Sequence, residues 1–168
     1  MLSTPQEFLR LLVEPTVKEF MDAPYDIRRA LLAALVLNHL TDHVAMESCD
    51  STDRNVMAKH LDCVRNDMRA SCPDFQFIQD VANATKHAKL SIPKNQKAPV
   101  RNLLSSEELS STPGLFEAPF GEGSFLEGVS VFATLSDGST KLLLPAIESV
   151  LNTWRSKLRD KSTYADLD

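Results

Sequence analysis

The sequence predicts a mainly α domain: a bundle of four to five helices carrying an appended β-hairpin and a C-terminal helix. Three observations lead there. Long stretches before residue 90 repeat their apolar residues at helical spacing, residues 128–144 alternate instead, and a second helical pattern follows Pro145. A chain of 168 residues with 43% hydrophobic content is long enough for one core and short for two. The whole of 1–168 is therefore expected to be a single domain, with the bundle over 1–90, an irregular basic and Pro/Gly-rich connection over 91–127, the hairpin over 128–144 and the last helix over 145–160.

Ser3 and Thr4 precede Pro5, an arrangement that starts a helix, because a hydroxyl caps free amides and proline belongs in the first turn. Phe8, Leu11 and Leu12 continue it. Pro15 is expected to interrupt this helix, with Val17, Phe20 and Met21 forming a second short one closed by Pro24. From Asp26 to about Glu47, apolar residues surround the helical circumference, so this segment is read as the central helix. Met57, Leu61, Val64 and Met68 then form one stripe of an amphipathic helix that ends before Cys72.

Pro73 and Asp74 open a further helix whose core side is read as Ile78, Val81, Ala82 and Thr85. Val129, Val131, Ala133 and Leu135 alternate with Ser130, Phe132 and Thr134, and the chain turns at Asp137-Gly138. A lone hairpin is marginal in water, so this one must pack on the helices. Ile147, Val150, Leu151, Trp154 and Leu158 give the last helix its apolar side.

The formal charge of −5 argues against a protein that is basic throughout, as general nucleic-acid and membrane-surface binders are. The charge is unevenly placed. Residues 81–106 hold Lys86, Lys89, Lys94, Lys97 and Arg101 and no acid, leaving the remainder with a formal −10. The longest apolar run, residues 30–37, is far below the roughly 20 residues of a membrane span. Cys49, Cys63 and Cys72 form an odd set with no CxxC pair, and no cleavable leader precedes them, so a cytoplasmic setting is expected.

Four groups carry candidate chemistry. At about 100° per residue, Asp80, Asn83 and His87 fall within roughly 60° of one another and opposite the stripe of their helix, with Lys86 adjacent. A carboxylate near a histidine raises its basicity, and an amide beside them orients a substrate. The plain alternative is a solvated helix face. A second group, His39 and His43, is spaced i, i+4 with Glu47 a turn further, and would hold a divalent metal such as Zn²⁺ if His60 or His87 supplied another ligand. In a helix this apolar, a structurally satisfied pair is the alternative. The third is the basic segment, with Lys86, Lys89, Lys94, Lys97 and Arg101 as phosphate-binding residues and ordinary solubilising charge as the alternative.

The fourth group is RNVMAKH, residues 54–60, in which an arginine is followed by a polar residue and, after five intervening residues, by a histidine. Here the chain resembles the HEPN superfamily, whose motif is an arginine, four to six residues and a histidine on a helix of a mostly helical bundle. Many such proteins, of bacterial or phage type, are metal-independent ribonucleases, and others are nonenzymatic helical modules. The resemblance implies that His60 transfers a proton at a ribose 2′-hydroxyl, Arg54 stabilises phosphate charge and Asn55 assists, in a cleft shared by a dimer. The plain reading of His60 is a residue at the edge of the core. The function expected is thus binding or cleavage of a phosphate-bearing partner, RNA or a nucleotide. The alternative is a noncatalytic module that forms a homodimer or binds another protein, with Phe116, Phe120 and Phe125 as contact residues. No membrane contact and no resident cofactor other than the histidine-bound metal is expected.

Overall fold

A computed structural model describes residues 4–91, 100–112 and 130–165, with side chains described as far as residue 159. It is the helical bundle with a small antiparallel sheet and a C-terminal helix that the sequence predicts. Helix α1 (Pro5–Phe8), a π-helical turn (Leu9–Val13) and α2 (Glu14–Met21) run on from one another as a single rod. The Thr4 side chain caps its start by accepting the Glu7 amide at 3.1 Å. Pro15 does not interrupt the rod. In a regular helix its ring would press on the carbonyl of Leu11, but the wider π turn, in which the Glu14 N–H reaches back to the carbonyl of Leu9, opens the spiral at that level.

The chain turns and enters α3 (Ile27–Glu47), capped by Asp26, which accepts the Arg29 amide at 3.1 Å. This is the central helix, touching the rod, α4 (Arg54–Ser71), α5 (Phe75–His87) and α6 (Leu143–Ala165). Small residues on its inner side, Ala30, Ala33 and Ala34, let neighbours approach, while Leu37 and Leu40 fill the space between. Its outer side is open, with Leu32 39% exposed, so the helix is less enclosed than its apolar circumference predicts. Helix α4 lies at the margin. Met57, Leu61 and Val64 are only half-buried, and Met68 is its one fully buried residue.

Helix α5 is the most enclosed. Phe75, Phe77, Ile78, Val81, Ala82 and Ala84 are all buried over about half of the circumference, and on the opposite, polar side Gln79 and Asp80 are buried as well. The expected two-sided helix, one face oily and one wet, is therefore not what forms. Phe75 meets Trp154 of α6 edge to face, with ring centroids 6.5 Å apart.

The hairpin forms as β2 (Val131–Thr134) and β3 (Thr140–Leu142), in the register Phe132↔Leu142 and Thr134↔Thr140. Gly138 sits in its turn at φ +83°, where a side chain would be strained, and the Asp137 carboxylate accepts both the amide and the hydroxyl of Ser139. A third strand, β1 (Leu109–Ser111), pairs with β2 inside the region expected to be irregular, preceded by a 3-10 turn over Ser106–Glu108. Leu109, Val131 and Ala133 face the core. The amide of Val131 donates to the carbonyl of Pro24 at 3.1 Å, tying the sheet to the α2–α3 turn. Helix α6 begins at Leu143, two residues before Pro145, because proline in the first turn removes an N–H that has no helical partner there.

Ala88 ends α5 in an unusual way. Its φ of 59° and ψ of −45° bring the Lys89 amide to the carbonyl of His87 at 2.7 Å, a strained γ-turn closed across one residue. Ala88→Gly removes the Cβ conflict and is expected to raise stability by about 1 kcal/mol, or roughly 3 °C in Tm. Paired thermal melts of the two proteins measure this.

Candidate functional site

The side chain of Asp80 is 0% exposed, which corrects the expectation that it shares an outer face with Asn83 and His87. Both of its oxygens are occupied. Oδ1 accepts Gln76 Nε2 at 2.9 Å and Arg101 Nη1 at 3.2 Å, while Oδ2 accepts the Asn102 amide at 2.8 Å and Asn102 Nδ2 at 3.1 Å. Gln76 is oriented in turn by Arg69, whose Nε donates to Gln76 Oε1 and whose Nη2 donates to Gln79 Oε1, both at 2.6 Å. Beyond Asn102, its carbonyl receives the Ser136 amide at 2.9 Å. One polar chain, buried at Gln79 and Asp80, thus runs from α4 through α5 to the sheet turn. Burial raises the Asp80 pKa above the ordinary carboxylate value, opposed by the hydrogen bonds from Asn102, the Arg101 charge and the bond from Gln76. Burial, helped by the nearby charge of Arg65, lowers that of Arg69.

Arg69, Gln76, Gln79 and Asn102 escape a motif search because each is an ordinary polar residue on its own. Asp80 stands in FIQDVANA, residues 77–84, on the polar side of the helix with Gln79 and Asn83, and nothing in that spacing tells that residues 101–103 cover the side.

The rest of the first candidate group lies further along the helix. Asn83 is half-buried, and Lys86 and His87 are exposed at its end. The γ-turn then presents Lys89, also exposed, and residues 89–91 run beside 104–105 through the Lys89↔Ser105 bridge and the bond from the Leu90 amide to the Leu104 carbonyl. Arg101 stands between this edge and the buried anchor, its Nε donating to the Ser91 carbonyl at 3.0 Å. Lys94 and Lys97 lie outside the described residues, as do Phe116, Phe120 and Phe125.

Arg54 and Asn55 are exposed at the start of α4 and His60 is half-buried a turn and a half later. The helix end beside them is already occupied by a carboxylate, since Asp53 accepts the amides of Asn55 and Val56 at 2.8 and 3.1 Å. Those amides are where a phosphate would otherwise be met. On α3, His39 Nδ1 lies 3.3 Å from the Asp42 carboxylate, while His43 stacks on Phe8 with ring centroids 3.9 Å apart. The i, i+4 pair therefore has two different sets of neighbours, and no group of three histidine, cysteine or carboxylate side chains is placed to hold a metal among the described residues. The three cysteines are free thiols. No helix among the described residues is long and apolar enough to cross a membrane.

Compared with protein-family models, with curated proteins and with solved structures, the chain matches none.

Asp80→Asn sets an amide N–H₂ against donors and is expected to cost about 3 kcal/mol at neutral pH, the scale of breaking a buried ionic contact. Because the folded pKa is raised, the stability that protonation of Asp80 contributes is full below the unfolded pKa and lost as pH rises through the folded one. The gap between wild type and Asp80→Asn should therefore widen on acidification and narrow towards neutrality, as read by urea unfolding at several pH values.

Proposed function

We propose that the protein binds a phosphate-bearing polymer, single-stranded RNA being the class, at the edge formed by Lys86, His87, Lys89 and Arg101. The observation that carries this reading is the exposure of Lys86, His87 and Lys89 around the strained turn at Ala88, within a stretch of sequence that has no acid. Strain kept at an exposed cationic turn points to use of that turn. Cations so displayed meet phosphate through Coulomb attraction and counterion release, without needing a pocket.

Binding rather than cleavage is the activity proposed. Asp80 serves the fold and is out of reach of any substrate. At the other candidate site, Asp53 fills the α4 amides. Acids also stand beside the α5 end, since the Ser106 amide donates to the Ala88 carbonyl at 2.9 Å and Glu107 and Glu108 follow it, but Glu108 is turned back onto the amides of Leu104 and Ser105. Among the described residues the edge contains no phenylalanine, tyrosine or tryptophan, and His87 is its one ring on which a base would stack, so contact is read as running mainly through the phosphates.

Fluorescence anisotropy with labelled oligouridylate and oligoadenylate, from 50 to 200 mM salt, tests the proposal. The two probes should bind alike, and log K against log salt should fall with a slope of about −2 or steeper, as at least three cations imply. Lys86→Ala combined with Lys89→Ala should flatten that slope by about 1.4 and leave Tm unchanged. Binding that ignores salt, or that survives the double substitution, would defeat the reading. Competition by ATP at equal concentration would reassign the edge to a nucleotide.

A further inference from the structure

We propose that Arg101 is the residue that fixes a phosphate of that partner, and that Asp80 and the Ser91 carbonyl position it for the task. This rests on the phosphate-binding reading of the α5 edge and assigns the one member of that edge whose geometry is set in advance.

The lysines of the edge are flexible chains carrying a point charge, while Arg101 is held. Its Nε is committed to the Ser91 carbonyl at 3.0 Å and its Nη1 to Asp80 Oδ1 at 3.2 Å. Two anchors at different points of a planar group define the plane and its direction. Nη2 has no acceptor among the described residues, and the side chain as a whole is 24% exposed, which leaves this nitrogen as the donor still to be used. Asp80 is fully buried and bound by three further donors, so it cannot swing to follow Arg101 outward. The result is a guanidinium held at two points with one nitrogen uncommitted, an arrangement that meets a phosphate oxygen with little ordering still to be done.

Were Arg101 only a structural tie, its charge and shape would matter to stability alone. The two roles separate by experiment, using the intact chain and the same labelled oligouridylate well below each variant's Tm. Arg101→Lys keeps the charge but cannot reach Ser91 and Asp80 together while presenting a third donor. It is expected to bind about tenfold more weakly with the salt slope unchanged. Arg101→Gln loses the charge as well, so the slope should flatten by about 0.7 in addition. Asn102→Ala removes one side-chain bond to Asp80 without touching Arg101. Its Tm should fall while its affinity stays within about twofold of wild type.

Wild-type binding by Arg101→Lys, or a loss in Asn102→Ala as large as that in Arg101→Lys, would overturn the assignment. The first outcome says that no fixed geometry is used, and the second that affinity merely follows stability. Both leave the edge reading standing if Lys86→Ala with Lys89→Ala still weakens binding. If that pair has no effect either, the edge reading fails as well.

Discussion

A single carboxylate out of contact with water, receiving four hydrogen bonds, organises the second half of this molecule. Asp80 joins a helix to a segment more than twenty residues further along, and both backbone and side chain of Asn102 are drawn into the contact. Every partner is a donor, so all four contacts favour the ionised carboxylate, while burial, the larger effect, opposes its ionisation. Arg69 fixes the remaining freedom. By donating to the Oε1 atoms of Gln76 and Gln79, it leaves the Gln76 amide nitrogen to face Asp80. Orientation is thus passed along the row from an exposed margin to a sealed centre. Such a network is costly if one member is missing and rigid when complete.

The architecture was legible in the sequence wherever periodicity alone decides it. Helix α3 appears where apolar residues crowd the circumference, the hairpin appears where they alternate and turn at Asp137-Gly138, and α6 follows within two residues of its expected start. What escaped depends on partners distant in the chain. Strand β1 is three residues of Leu-Ser-Ser, too short to show alternation and held by pairing with β2, Ser111 with Val131 at the nearest. The course of the chain through Pro15 depends on a π turn placed upstream, which no residue of the proline's own neighbourhood announces.

The candidate site shows the same division more sharply. Exposure of Lys86, His87 and Lys89 follows from their place at a helix end. The separation of Asp80 from His87 does not, because a helical wheel records angle and says nothing of what covers a face. Residues 101–103 cover this one: Leu103 is fully buried, and Arg101 and Asn102 bind Asp80. The four histidines, all within residues 39–87, end in four different settings, one against a carboxylate, one against a ring, one at the margin of α4 and one at the tip of α5. Local charge is likewise a better guide than the total. A chain that is acidic as a whole still presents cations at one edge, and an aspartate closes the helix end where the other cationic candidate stands.

Helix α6 supplies Ile147, Val150 and Trp154 to a core whose other walls are made mostly by residues before 110, with Val131 and Ala133 of β2 added to them, and Trp154 closes against Phe75. During synthesis those walls leave the ribosome long before their last neighbour does. At the usual pace of translation, Phe75 waits several seconds for the indole that covers it. Over that interval the nascent bundle is an incomplete shell with an aromatic opening, the kind of surface that general chaperones hold, and it closes only once the final helix has emerged.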